Sequence, residues 1–400
     1  MKFSDFAEKS RVSEELHACN MCGYCVPVCP AYQEITWESA SPRGKVFFMK
    51  GVEMWSPLDW ILRRPTRDRT VFGRPTDEIR QFTKAVYECT GCGACEAVCH
   101  ADIPFDGLWD DVKEWLVGEG FGPLPEHEPI FRNIKGTKNL YGRDNETRGA
   151  WAKDADVREA AQPEVLFWVG CAASFERNST AKAVVKILNA ANVRYRILGR
   201  EEWCSGGPLA RVGGGEFVKK TLMPHNLEAV EKTGAKALVT ACAECYRAWL
   251  KDYRRYGGNP PLSIYHVSQY IEKLVKEKRL KFSKKIDRKV TYHDACQLGR
   301  VCGQSEPPRT AMKYLQGVVQ LEMFHNRETT LCSGAHGGFR EAFPKEAANL
   351  AARRQQEGRE TGAQVMVTTC PHAIAHLTDI ARKGRGMETI DLAELAAEHL

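Results

Sequence analysis

The chain has 400 residues, 43% of them hydrophobic, and a formal net charge of +6. That length admits two or three domains, the apolar fraction argues against general disorder, and no apolar run approaches the roughly 18 residues of a membrane span. The positive charge is spread along the chain, and its densest stretch, Arg63 to Arg69, is too short for a nucleic-acid stripe and carries no recognisable module; it reads as a solvated loop or a partner-facing edge.

Met1 to Ser10 is polar, of mixed charge, and has no apolar core for a secretory signal. A cytoplasmic location is expected, soluble or peripheral. Against that background the 16 cysteines point to metal rather than to disulfides. The first run is Cys19-x-x-Cys22-x-x-Cys25-x-x-x-Cys29-Pro30, and the second is Cys89-x-x-Cys92-x-x-Cys95-x-x-x-Cys99. Three thiolates spaced by two residues wrap one face of a 4Fe–4S cubane, and the fourth, after a longer step, ligates the other cluster. The spacing therefore assigns Cys19, Cys22, Cys25 and Cys99 to one cluster, and Cys89, Cys92, Cys95 and Cys29 to a second. Gly23, Gly91, Gly93 and Ala94 allow the tight turns this needs. Structural zinc has no use for a third evenly spaced cysteine. His100 stands where proline follows the first run, a departure that leaves the ligands alone.

Between the runs, Val46 to Val52 reads as helix, interrupted by Pro57. Trp37, Trp55 and Trp60 either cover the clusters or dock a partner. Residues 1–120 thus form a helical ferredoxin-type domain. Residues 121–162 lose the apolar period and accumulate Gly, Pro and charge, as in Gly122-Pro123-Leu124-Pro125, and read as a connecting arm that wraps another domain.

An internal repeat follows, over 163–286 and 287–400. The apolar run Val165 to Gly170 ends at Cys171, and Val290 to Ala295 ends at Cys296. Trp203-Cys204-Ser205-Gly206-Gly207 matches Leu331-Cys332-Ser333-Gly334-Ala335, and Ala237 to Cys242 matches Val365 to Cys370. Cys204 to Cys242 and Cys332 to Cys370 are both 38 residues apart. Each half reads as strand, helix, strand, helix, with helical spacing at Ala181–Ala191 and Met223–Thr233. The apolar runs suit buried parallel strands. Cysteines just past strand ends lie where open parallel sheets build ligand sites, and two facing halves would bring two such sites to a pseudo-twofold interface.

With these residues the chain resembles the D subunit of heterodisulfide reductase and the iron–sulfur subunits of glycolate oxidase and anaerobic glycerol-3-phosphate dehydrogenase. The resemblance rests on both cysteine runs, on Glu201-Glu202-Trp203-Cys204, on Tyr292-His293-Asp294 with Cys296-Gln297-Leu298-Gly299-Arg300, on Glu306-Pro307-Pro308-Arg309, and on Gly334 to Gly338. It implies an α+β chain: a helical two-cluster ferredoxin domain followed by two α/β cysteine-rich repeats. It also implies an electron-transfer component of an anaerobic oxidoreductase complex. The expected partner is a flavin-containing protein similar to the A subunit of heterodisulfide reductases, with membrane association only through a partner.

The family's disulfide-reducing members carry a Cys-Cys-Gly doublet and a C-x-x-C pair in each repeat, five thiolates for a non-cubane cluster. Here Ser205 and Ser333 replace the second cysteine of each doublet, and Ala373 replaces the last cysteine of the second repeat. The first repeat keeps Cys171, Cys204, Cys242 and Cys245, the number a closed third 4Fe–4S cluster uses. The second keeps Cys296, Cys332 and Cys370. It holds a fourth iron–sulfur cluster with an open iron or a substitute ligand (Cys302, His336, His372 or His293), or it is empty.

Three functions follow: a relay, a catalyst acting on a disulfide or other small substrate at the second repeat, or a scaffold without metal in its repeats. His293 is the one candidate catalytic group, as a proton or hydrogen-bond donor. Asp294 is expected to cap a helix. The glycine loop at His336 has no P-loop lysine, so no nucleotide is expected, and without a Rossmann fingerprint no flavin or nicotinamide is expected on this chain.

Overall fold

The computed structural model describes residues 12–53, 70–71 and 74–400. Met1 to Ser10, Trp55, Pro57, Trp60 and the basic stretch Arg63 to Arg69 lie outside the described residues. The N-terminal domain is helical. In the helix Phe105–Gly118, Phe105, Leu108, Trp109, Val112, Trp115 and Leu116 recur at helical spacing and form one buried stripe. That stripe packs on Val12, Leu16, Val46, Met49, Phe82 and Val86 from the helices Val12–Ala18, Pro42–Glu53 and Thr76–Tyr87. A two-stranded antiparallel ribbon, β1 (Thr70–Val71) and β2 (Arg74–Pro75), sits at its edge.

Each repeat holds a four-stranded parallel sheet. The first has β3 (Val165–Phe167), β4 (Tyr195–Arg196), β5 (Ala237–Thr240) and β6 (Ser263–His266), in the order β4-β3-β5-β6. The second has β7 (Arg288–Tyr292), β8 (Val318–Leu321), β9 (Val365–Thr368) and β10 (Thr389–Asp391), in the order β10-β9-β7-β8. Read from their own first strands, the two orders are the same. The central strands β3 and β9 are buried along their whole length, as sheets covered on both faces require. The strand–helix–strand–helix expectation caught β3, β5, β7 and β9. It missed β4, β6, β8 and β10, which carry more exposed or polar residues.

The halves pack reciprocally. The helix Asn178–Ala190 of the first lies on Leu392–Glu398 of the second, and Val267–Lys276 lies on Glu306–Lys313. First helix meets last helix in both directions, as a pseudo-twofold axis demands. One apolar core, with Val184, Ile187 and Ile271 beside Tyr292, Met312 and Leu395, therefore serves both repeats.

The 121–162 arm is ordered structure rather than plain linker. It contains the helix Glu128–Thr137, which buries Ile130, Phe131 and Ile134 against the first repeat, and the 3-10 segment Asn145–Asp154, which buries Arg148 and Trp151. The helix is a short one with only three apolar anchors, too few to show a period in a polar stretch. Charge joins the ferredoxin domain to the first repeat. Arg211 meets Asp110 at 2.7 Å and Asp252 at 2.8 Å, and Arg247 meets Asp106 at 2.7 Å, all buried or nearly so.

Candidate metal centres

In the ferredoxin domain the turns at Gly23, Gly91 and Gly93 have φ of +87°, +63° and +72°, which glycine adopts without strain. Cys29, Cys89, Cys92 and Cys95 line one cavity of about 30 Å³ together with Lys45, Asp110 and Lys113. The crossing cysteine from the first run thus joins three from the second, as the spacing predicts. Cys29 and Cys92 are buried. Burial, partly offset by the Lys45 ammonium, pushes the Cys29 thiol up to about 11. Lys45 donates to the carbonyls of Ala40 and Glu88 at 2.8 and 3.0 Å, which fixes its charge beside the cavity.

The other set lies nearer solvent: Cys22 is exposed, and Cys19, Cys25 and Cys99 are partly buried. Tyr24 and His100 meet edge to face at 4.8 Å, bringing the first loop to the end of the second run. Cys19 and Cys99 pack on the same apolar cluster. Trp37 is 74% exposed, which suits the partner-docking alternative considered for it.

In the first repeat the four cysteines are buried and share one cluster, with Cys204 the strongest influence on the Cys171 thiol and Cys245, then Cys370, on the Cys242 thiol. Gly206 N–H donates to Cys204 Sγ at 3.4 Å, Cys245 N–H to Cys242 Sγ at 3.4 Å, and Ser205 Oγ to Cys245 Sγ at 3.5 Å. Gly170 has φ +79°, and a Cβ there would stand 3.2 Å from Cys245 Sγ; the backbone closes on the thiols as a cluster cradle does.

Arg148 from the arm donates to Cys171 Sγ at 3.6 and 3.7 Å. Glu202 holds Arg148 at 2.6 Å and accepts from the N–H groups of Val169 and Gly170. Hydrogen bonding from Cys204, and then the Arg148 guanidinium, hold the Cys171 thiol well below its usual range. Sequence reasoning quoted Glu202 without a role and missed Arg148, which no pattern in the arm marks.

The second repeat follows this plan with a change. Cys296 and Cys332 touch, and Gly334 N–H donates to Cys332 Sγ at 3.3 Å, the counterpart of Gly206. Cys370, however, meets the His336 ring, with Nε2 3.3 Å from Sγ. Burial pushes the Cys370 thiol up, but hydrogen bonding from Cys242 and the His336 ring outweigh it and bring it well below the usual range.

The other candidate substitutes lie near by, the His372 ring 5.7 Å from that of His336, but are engaged by other partners. Cys302 packs with Tyr246, Leu298 and Leu250, and its charged neighbours are Lys251, Asp252 and Asp106. His372 pairs with Glu244 at 3.6 Å. His293 Nδ1 accepts from Arg354 Nε at 2.9 Å, and burial holds the ring neutral. Asp294 caps no helix: its carboxylate grips Arg309 at 2.7 and 2.9 Å and accepts from Arg327 N–H.

Sulfur contacts also run between the centres. Cys92 of the ferredoxin domain packs in one buried cluster with Cys296 and Cys332, and the Cys242 and Cys370 thiols lie close enough to shift one another. Gln297 donates to Gly91 O at 2.9 Å and Arg300 to Cys92 O at 3.0 Å. Two residues quoted only as family markers thereby hold the ferredoxin loop against Cys296 and Cys332. A Cβ at Gly337 would stand 2.7 Å from Cys89 O, so the glycine loop is a docking surface for that domain rather than a phosphate cradle. A cleft of about 280 Å³ lies along this seam, lined by Cys92, Cys332, Arg300, His325 and Arg353 among others.

Comparison with known proteins agrees with this architecture. A 4Fe–4S dicluster domain family matches residues 15–103, and a cysteine-rich domain family matches residues 165–248 and 290–378. The chain is 33% identical over 370 residues to the D subunit of the dihydromethanophenazine:CoB–CoM heterodisulfide reductase of Methanosarcina acetivorans, covering 91% of this chain and 89% of that one. It is 28% identical to the EtfAB:quinone oxidoreductase of Syntrophomonas wolfei over 96% of this chain and 57% of the other. It is 26% identical to the B subunit of a fumarate reductase (CoM/CoB) of Methanothermobacter marburgensis, over 96% and 73%. Among solved structures, a hypothetical protein from Helicobacter pylori shares the fold at a TM-score of 0.54 and 10% identity, covering 89% of this chain and 67% of that one. Among the described residues no helix is long and apolar enough to cross a membrane.

Proposed function

Because this chain belongs to the D-subunit family of heterodisulfide reductases, and is by that an iron–sulfur oxidoreductase subunit, we propose that it is an electron relay within a larger complex. In this reading the two ferredoxin-type sites and the first repeat each hold a 4Fe–4S cluster. The observation that carries it is the seam between ferredoxin domain and second repeat, where Cys92 packs with Cys296 and Cys332 and Gln297 and Arg300 bond the Gly91 and Cys92 carbonyls; the second-repeat Cys370 in turn lies close enough to the first-repeat Cys242 to shift its thiol. A bound cluster supplies one-electron exchange, and the protein supplies spacing, charge and exclusion of water.

The chain's own residues fit that work. Lys45 and Lys113 set buried positive charge at the inner ferredoxin site, which favours an added electron. Arg148 does the same at Cys171, with Glu202 holding it in place. The outer site, with Cys22 exposed, faces a donor or acceptor. A flavin-bearing partner resembling the A subunit of heterodisulfide reductases suits that role, and any membrane association comes through a partner.

The test is iron and sulfide analysis of the anaerobically purified protein. About twelve irons per chain or more support the relay, while about eight leave only the ferredoxin pair and favour a scaffold. A second reading, reduction of a disulfide or another small substrate at the second repeat, is favoured by the cleft that reaches Cys332. An added disulfide that perturbs the spectrum of a second-repeat centre would support it, and an unchanged spectrum would count against it.

A further inference from the structure

Internal comparison of the repeats exposes a substitution that the cysteine count alone does not resolve. Cys204 and Cys332 correspond, as do Cys242 and Cys370, at a constant spacing of 38 residues. On that register Cys245 falls opposite Ala373, and Pro208 falls opposite His336. The first repeat thus has a thiol where the second has a methyl group, and a proline where the second has an imidazole. In space the exchange is complementary. Cys242 Sγ accepts from Cys245 N–H at 3.4 Å in the first repeat, and Cys370 Sγ meets His336 Nε2 at 3.3 Å in the second. The remaining pair, Cys171 with Cys204, has its counterpart in Cys296 with Cys332.

We propose that His336 is the fourth protein donor of the second-repeat centre, completing with Cys296, Cys332 and Cys370 a Cys3His set for an iron–sulfur cluster. The inference rests on the reading that the repeats hold clusters, and it deepens that reading. The contact with Cys370 occupies Nε2, so Nδ1 is the atom left to meet iron. The His336 side chain is buried, 6% exposed, and its Nδ1 has no hydrogen-bond partner among the described residues; a buried ring nitrogen without a partner is costly unless a ligand takes it. The ring also stands on the loop that starts at Cys332 and is pinned by Gly337 and Gly338 against Cys89, Thr90 and His127, so its position is set by the fold. Imidazole is a competent ligand for cluster iron, and neutral nitrogen in place of thiolate raises the reduction potential. A closed set of four donors also makes this centre an electron carrier rather than an open site.

The test uses whole protein made with 15N-histidine and purified without oxygen. The expected result is about sixteen irons per chain, and a histidine nitrogen hyperfine coupling on one reduced cluster that changes between 14N and 15N preparations. His336→Ala should remove that coupling and about four irons, leaving the other signals in place. His336→Cys should keep the iron and lower that cluster's potential. The proposal is overturned if no cluster shows a histidine nitrogen, if the coupling survives His336→Ala, or if the wild type holds only about twelve irons. In that last case the relay reading stands, whereas about eight irons would remove both.

Discussion

The two repeats share a strand order, a reciprocal helix packing, an N–H bond from glycine to the second-position sulfur, and two pairs of donors across each site. They differ in what closes the site. The first gathers four buried cysteines beside a buried Arg148–Glu202 pair; in the second, Cys370 meets the His336 ring where the first has Cys245 beside Cys242. Backbone geometry was therefore retained through the duplication while the donor set and the local charge changed. On the relay proposed above, donor identity, rather than the fold, would separate the electrochemistry of the two halves.

The sharpest way to break this comparison is to remove Cys245. Cys245→Ala takes away the thiol that the second repeat lacks and leaves no histidine to replace it, since Pro208 stands opposite His336. The expected loss is one whole cluster, about four irons per chain, with the ferredoxin signals intact by EPR. Simultaneous bleaching of all signals would show that the centres are not separately held.

Charge gives the next contrast. Glu202→Ala strands Arg148, which is 1% exposed, and should cost about 3–5 kcal/mol of stability. The buried ion pair of the second repeat has a second partner in reserve: Arg309 keeps Glu322 at 2.7 Å if Asp294 is lost. Asp294→Ala should therefore cost less, about 2 kcal/mol. Urea unfolding of both variants ranks them, and equal losses would deny Glu322 that role.

The seams differ in their sensitivity to acid. Burial lowers His127, His266 and His376 to about 4 each. His127 donates to Gly338 O at 2.8 Å and joins the arm to the second repeat, His266 donates to Thr369 O at 3.2 Å across the repeat interface, and His376 donates to Ala347 O within the second repeat. Their folded values lie below the unfolded value near 6.5, so the unfolded chain binds more protons. Stability is fully present above about pH 6.5 and is lost as pH falls toward 4, by about 1–2 kcal/mol per histidine at pH 5. Unfolding measured at pH 7.5 and 5 tests this, and His127→Gln should remove about one histidine's share of the pH dependence.

Much of this was legible in the chain. The cysteine runs propose their ligands because cluster geometry demands a fixed spacing, and Cys29, Cys89, Cys92 and Cys95 do line one cavity. The repeat was visible because β3, β5, β7 and β9 are buried apolar runs ending at cysteines. What stayed hidden depends on long-range contact. Arg148 has no local signature and acquires its role by meeting Cys171 and Glu202. His336 was one of four candidate substitutes until folding set its ring against Cys370 and left Cys302 at the rim of the same apolar cluster, beside Lys251 and Asp252. Asp294 looked like a cap because it follows a strand, yet Arg309, fifteen residues on, is the stronger partner.

The smallest expected effect separates the outer ferredoxin site from the inner one. Trp109 is buried beside the inner cavity, whereas Trp37 and Phe47 of the same domain are 74% and 71% exposed. A ring that buries little area contributes little to folding, so Trp37→Ala should change unfolding stability by no more than about 0.5 kcal/mol. Its cluster absorbance should decay in air at the wild-type rate. Faster bleaching in Trp37→Ala would mean that this indole shields the outer cluster after all, and that the outer and inner sites are protected by aromatic cover in the same way.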